Sequence, residues 1–231
     1  DHRDLHSFPT RRSSDLARKK YFSMPEDDSN WTWNVAWWSD PVLLGKYPEE
    51  GLKKYEKYLP KITEEDMRLI SEPIDVYGQN IYNGRAFRMG ADGNPEEVGR
   101  VPGAGKTAVN WPVTPECLYW GPKFLYERYK KPIYITENGM ACHDVVSLDQ
   151  RVHDPNRIDF LARYLHELKR AAEEIDLRGY FQWSLMDNFE WEKGYAERFG
   201  IVYVDFETQE RILKDSAYWY RDVIQTNGRD L

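Results

Sequence analysis

A chain of 231 residues, 41% hydrophobic and 31% charged, is long enough for one large domain or two small ones. No apolar run approaches the ~18–20 residues that cross a bilayer, which excludes a helical membrane span. Lys+Arg 32 against Asp+Glu 39 leaves a net charge of −7 spread along the chain, so no basic stripe stands ready to neutralise phosphates and nucleic acid is not an expected partner. Cys117 and Cys142 form at most one bridge and no CxxC pair, which fits neither a disulfide scaffold nor a zinc ribbon. The excess is aromatic: 15% of residues, with nine Trp, enough either to fill a large core or to stack on flat ligands.

The first sixteen residues, DHRDLHSFPTRRSSDL, show neither helical nor strand period and hold two of the five histidines. They resemble translated sequencing-adapter read-through and are set apart as a tail, leaving 17–231 as the domain. No apolar leader core stands in this stretch; the compartment is left open, with the cytoplasm favoured. Residues 17 to 48, rich in aromatics and turn formers, are expected as irregular loop with one short helix. From 49 to 59, Leu52, Tyr55 and Leu59 share a helical face, and Thr63 with Asp66 makes a capping box for a short helix ending near Ile70. Pro73 stops it, and Ile74 to Tyr82 is expected as a buried strand.

A Gly/Pro-rich excursion over 83–113 follows. Thr114 as N-cap with Pro115 behind it predicts a helix to Tyr129, and 132–137 the next strand, ended by Asn138-Gly139. Asp154-Pro155 starts a helix whose Ile158, Leu161, Leu165 and Leu168 line one face. Residues 179–185 are a third strand, 201–205 a short strand-like piece, and Asp215 caps a last helix to about Gln225.

Strand, long loop and helix thus repeat three times. Such alternation predicts an α/β fold with a parallel sheet and right-handed crossovers. Loops after the strands are far longer than the helix-to-strand turns, which is the asymmetry of a (β/α) barrel with its site at the strand carboxyl ends. A flavodoxin-like open sheet is the alternative. Three strands do not close a barrel, so the expectation is a partial (β/α)8 TIM barrel, about its last three βα units.

Glu137 ends the second of these strands, where a carboxylate faces a barrel mouth; a plain Asn-Gly turn is the competing reading. The next strand runs into Trp183, Asp187, Asn188, Glu190 and Trp191 where only loop residues are required. Indoles beside carboxylates suit a sugar, whose C–H face stacks on the ring while carboxylates accept from its hydroxyls.

The strings YITENG and WSLMDNFEW, with RFGIVYVD and KDSAYWY, resemble glycoside hydrolase family 1, the retaining β-glucosidase family, over about residues 17–228. The resemblance implies that Glu137 is the catalytic nucleophile and that Tyr82 supports it. It implies further that Asn80 contacts the hydroxyl at position two, that Trp183 lies beneath the terminal sugar, and that Glu190 grips the hydroxyls at positions four and six. Trp191 would bind the hydroxyl at position three, Phe199 close that side, and Trp111 platform the leaving-group sugar. Ile81 stands where the family more often has Tyr, and its side chain is expected to point away from the pocket.

The implied substrate is a terminal β-linked glucose or related hexose, in a β-glucoside or oligosaccharide, and no cofactor is implied. The retaining mechanism needs a second carboxyl group, an acid/base that the family carries in an Asn-Glu-Pro motif. Ser71-Glu72-Pro73 is a decoy, because Glu72 precedes its strand. An inactive fragment is therefore expected; the alternative is a non-catalytic remnant that binds sugar weakly. Gly103 to Thr107 lacks the leading glycine and following helix of a phosphate loop, and Cys142, His143, Asp144 and His153 match no metal-ligand spacing.

Overall fold

The computed structural model of the chain describes residues 11–25 and 34–231. The chain divides into two compact units, residues 1–75 with 86–99, and residues 76–85 with 100–231.

The first unit holds α1 (Arg11–Phe22), α2 (Val35–Leu44), α3 (Glu49–Tyr55) and α4 (Glu64–Ile70). Asn34 caps α2 by accepting from the Trp37 N–H at 2.8 Å, and Gly45 ends it in the left-handed region. Trp37, Tyr55, Ala36 and Met24 form a small core on which Phe22, Tyr47, Leu52 and Leu59 pack. Gly51 belongs to it by default of size, because a Cβ there would stand 2.7 Å from the Trp37 ring. The capping box is present: the Asp66 N–H donates to Thr63 Oγ1 and the Thr63 N–H to Asp66 Oδ2. Three expectations are corrected. Arg11 to Leu16 are the first turns of α1, and Leu16 is buried, so the boundary at residue 16 falls inside a helix; residues 1–10 lie outside the described residues. The stretch 17–48, expected as loop with one short helix, holds the end of α1 and all of α2 among its described residues, and its 26–33 portion lies outside them. The excursion 83–113 contains an antiparallel hairpin, β2 (Phe87–Met89) and β3 (Pro95–Glu97), whose turn is closed by Gly90 and Asn94.

The second unit carries β1 (Tyr77–Asn80), α5 (Cys117–Tyr129), β4 (Ile133–Asn138), α6 (Pro155–Ala172) and β5 (Leu177–Gln182). The three strands make one parallel sheet in the order β1-β4-β5. The spatial order follows the chain order without reversal, as in a barrel and unlike a doubly wound sheet, which turns back at a switch point. On β4 the side chains alternate, Ile133 and Ile135 wholly buried and Thr136 exposed. α5 buries Leu118, Phe124 and Leu125, and α6 buries Phe160, Leu161, Tyr164, Leu165 and Leu168, each such burial worth ~1.5–3 kcal/mol.

Here too the expectations need correction. β1 is short and mostly exposed, with only Gln79 buried, because it pairs on one side alone. Thr114 is not the N-cap of α5, a place taken by Glu116; its hydroxyl instead accepts from the Gly84 N–H at 2.9 Å. The buried stripe of α6 starts at Arg157 rather than Ile158, which is half-buried. The piece at 201–205 is β6 (Val202–Val204), paired antiparallel with β7 (Arg211–Leu213), which has no counterpart in the expected elements, and α7 (Asp215–Gln225) is capped by Lys214.

Candidate active site

The carboxyl ends of β1 and β4 set the site. Their register pairs Asn80 with Glu137 after an irregularity between Gln79 and Asn80, so the pleat is interrupted just where the candidate nucleophile stands. Beyond β1 the chain turns so that the Tyr82 hydroxyl donates to Glu137 Oε2 at 2.7 Å. Burial, and then the negative charges of Glu137 and Glu190, push the Tyr82 hydroxyl far above its ordinary range. It is therefore a standing donor that orients the carboxylate without competing for a proton. Tyr164 of α6 fixes Tyr82 from behind, its hydroxyl donating to the Tyr82 carbonyl at 3.1 Å and accepting from the Thr114 N–H at 2.8 Å.

The loop after β5 delivers the second carboxylate. The Trp183 N–H donates to the Asn138 carbonyl at 2.8 Å, and Gly139 lies so close beneath that a Cβ there would meet the Trp183 carbonyl oxygen at 1.7 Å. The glycine of Glu-Asn-Gly is thus demanded by close approach of the next strand as well as by a turn. The Trp183–Ser184 peptide is cis. Glu190 Oε2 is buried without a hydrogen-bond partner among the described residues. Burial, with the charges of Glu137 and Glu197, raises Glu190 above its ordinary value against the lowering influence of Trp183. Glu137 and Glu190 thus lie within reach of one another's charge.

Aromatic rings close the other side. Tyr82 sits 5.1 Å from Trp111 and 6.4 Å from the buried Phe199, which are 6.1 Å from one another. The segment dismissed as a phosphate loop serves to present Trp111: the Thr107 N–H donates to the Trp111 carbonyl at 2.9 Å, and Thr107 Oγ1 accepts from the Trp111 N–H at 3.2 Å. Ile81 lies over Gly121 of α5, on the helix side of the sheet. Two expected residues stand less engaged. Asn80 is beside Glu137 in register, but its Oδ1 accepts from Thr136 at 2.7 Å, and Trp191 is 79% exposed.

Six residues that sequence reading did not assign to the site hold its loops in place. Lys214 donates to Asp144 at 2.6 Å and to Asp187 at 2.8 Å; Arg157 pairs with Asp144 at 2.7 Å and with Asp154; Arg198 pairs with Asp187 at 2.6 Å. Three cations thus meet three carboxylates, and the cluster ties the loops after β4 and β5 to the starts of α6 and α7. Asp144, considered above as a metal ligand, is committed here. One signal was legible: Arg157 occupies the first position of the apolar stripe 157, 161, 164, 168, where a charge stays only with buried partners.

A carboxylate with one oxygen held by a hydroxyl donor has its other oxygen available for attack, and acidic groups among indoles suit a neutral polyhydroxylated ligand. Fold and site together define part of a (β/α) barrel whose strand carboxyl ends carry carboxylates among aromatic rings. The chain belongs to glycosyl hydrolase family 1, whose sequence profile matches residues 14–229. It is 48% identical to β-glucosidase A of Thermotoga maritima over 84% of this chain and 44% of that protein, and 46% identical to a 1,4-β-D-glucan glucohydrolase of Thermotoga neapolitana over 84% and 44%. The solved Thermotoga maritima β-glucosidase in complex with glucoimidazole superposes with a TM-score of 0.75 at 44% identity, covering 88% of this chain and 48% of that one. The chain spans about half the length of the curated relatives it matches, and the three-stranded sheet is part of a (β/α)8 barrel.

Proposed function

We propose that this chain forms the nucleophile-bearing, sugar-binding half of a retaining β-glucosidase site. Glu137 attacks the anomeric carbon of a terminal β-linked glucose or related hexose. The bond to the leaving oxygen breaks as the bond to the carboxylate forms, and the leaving oxygen takes a proton from a general acid. Water then adds to the anomeric carbon, gives a proton to the same group, and releases Glu137. Tyr82 orients Glu137, Trp183 and Glu190 hold the sugar, Asn80 and Trp191 contact its hydroxyls, and Phe199 and Trp111 wall the cleft. The observation that carries this reading is the 2.7 Å bond from Tyr82 to Glu137, with the Glu190 carboxylate within reach of its charge.

The general acid lies outside these residues. Glu190, whose charge reaches Glu137, is assigned to the sugar, and Glu197 acts on Glu190. General acid help is worth ~10²–10⁴ in rate, so the chain by itself is expected to leave unactivated β-glucosides intact. Joined behind the N-terminal half of the Thermotoga maritima relative, as a completed enzyme, it is expected to cleave them. Hydrolysis of an aryl β-glucoside by both proteins checks this, and equal rates would place the acid within the 231 residues. The role of Glu137 is tested with a dinitrophenyl β-glucoside fluorinated at position two, which forms the glycosyl ester but hydrolyses slowly. Peptide mass mapping should find one fluoroglucosyl group on Glu137. Labelling elsewhere, or saturable sugar binding with no labelling of the completed enzyme, would favour the sugar-binding remnant.

A second expectation concerns charge. A glucoside phosphorylated at position six would bring a dianion toward Glu190, which already shares its cleft with Glu137 and Glu197. The completed enzyme should therefore discriminate against it by at least ~10-fold in kcat/KM, as like charges in a partly desolvated site cost well over 1 kcal/mol. Preference for the phosphorylated substrate would remove Glu190 from the sugar site.

A further inference from the structure

At the level of Glu137 both parallel ladders lose regular register, between Gln79 and Asn80 on one side and between Ile135 and Asn138 on the other. Backbone pairing alone therefore does not set the distance between the end of β1 and the end of β5 here. One side chain spans the gap. Asn138, wholly buried, donates from Nδ2 to the Ile81 carbonyl at 2.8 Å and accepts at Oδ1 from the Tyr180 hydroxyl at 2.9 Å. Its orientation follows from its partners, because a carbonyl only accepts. The Ile81 N–H donates in turn to the Glu137 carbonyl at 3.0 Å, so Ile81 is clamped between the backbone of Glu137 and the side chain of Asn138. Ile81 is the residue between Asn80 and Tyr82, and its position decides where the Tyr82 hydroxyl meets Glu137.

Resting on the reading of Glu137 as nucleophile, we propose that Asn138 and Tyr180 are positioning residues for the glycosylation step, a buried amide and hydroxyl pair that holds Tyr82 in register with Glu137. Neither touches the sugar. The chemistry demands an amide at 138: an acid offers no donor to Ile81 when ionised, and alanine leaves the Ile81 carbonyl without that donor and the Tyr180 hydroxyl with only its 3.4 Å approach to the main-chain carbonyl of residue 138. Burial keeps the Tyr180 hydroxyl protonated, so its role as donor does not change with pH. Tyr180 is the milder probe, since Tyr180→Phe deletes one oxygen and keeps the ring.

The test uses the completed enzyme and the fluorinated dinitrophenyl glucoside, reading the maximal trapping rate separately from the half-saturating concentration. Tyr180→Phe and Asn138→Ala are each expected to lower the maximal rate by ~10-fold or more, the effect of removing orientation without removing binding groups. The half-saturating concentration should stay within ~3-fold, and the double variant should be no slower than Asn138→Ala, because both act through one chain of bonds. A variant that melts earlier but is trapped at the unsubstituted rate, or one that loses only affinity, overturns the proposal. If Asn138→Ala does not fold, Tyr180→Phe carries the same expectation and the same refutation. Absence of label on Glu137 in the unsubstituted enzyme instead overturns the assignment of the nucleophile, and this inference with it.

Discussion

Glu137→Ala is expected to lower turnover of a dinitrophenyl β-glucoside by the completed enzyme on the order of 10⁴- to 10⁶-fold, the scale seen when a covalent nucleophile is removed. The activated leaving group needs little protonation, so the loss isolates the attack itself. KM should change little, because Trp183 and Glu190, which hold the sugar in this reading, are untouched by the substitution. Tyr82→Phe should be much milder, since it removes the 2.7 Å bond that orients the carboxylate but leaves the attacking oxygen. Added formate, small enough for the space vacated in Glu137→Ala, should restore part of the cleavage with inverted product configuration. Steady-state kinetics and product stereochemistry by NMR check both points. An alanine variant that keeps more than a few per cent of the activity would show that another group attacks.

Lys214→Met is expected to lower stability by ~3–5 kcal/mol, the scale of removing one partner from a buried ion network. Lys214 is wholly buried and bonds both Asp144 and Asp187, so its loss leaves three buried carboxylates facing only the two arginines, Arg157 and Arg198. For a chain of this size that is a fall of roughly 6–20 °C in Tm, followed by circular dichroism. The control is Arg163→Met, which breaks the exposed pair with Asp159 and should cost at most ~1 kcal/mol. The pH dependence has a definite sign. Against the cost of its own burial, Arg157 and Lys214 hold the Asp144 carboxyl below its ordinary value. Its contribution is therefore present above the unfolded pKa near 3.9 and is lost as pH falls through the lower folded value. Lys214→Met should weaken that acid-side loss, and an unchanged Tm would mean that the cluster is not energetically coupled.

The cluster also marks the boundary between what a linear reading reaches and what it does not. Alternating strand and helix patterns, the Thr63–Asp66 capping box, the 215–225 helix and the strings around Glu137 and Trp183 were legible because they rest on local periodicity and on contiguous motifs. Local signals placed Glu137 at a strand end and Trp183 and Glu190 in the loop after the next strand, whereas Asn80, Tyr82, Trp111 and Phe199 were named only through the family resemblance. They misplaced what depends on partners. Thr114 has the chemistry of an N-cap, yet its hydroxyl is taken by Gly84, thirty positions away. Residues 17–48 contain few helical signals, yet α2 forms because Trp37 has Tyr55 and Gly51 to pack against.

By itself, then, the sequence determined the α/β order of the elements, the family and the identity of the residues at the strand ends. Only the tertiary structure decided that Tyr164 fixes Tyr82 where its hydroxyl meets Glu137, that burial and the charge of Glu137 raise Glu190, and that Asp144, Asp154, Arg157, Asp187, Arg198 and Lys214 converge in one neutral cluster. The physical reason is range. Periodicity and capping act over one or two turns, whereas a buried charge or an oriented hydroxyl is set by partners up to 82 residues away, and nothing in a single local pattern encodes which partner that will be.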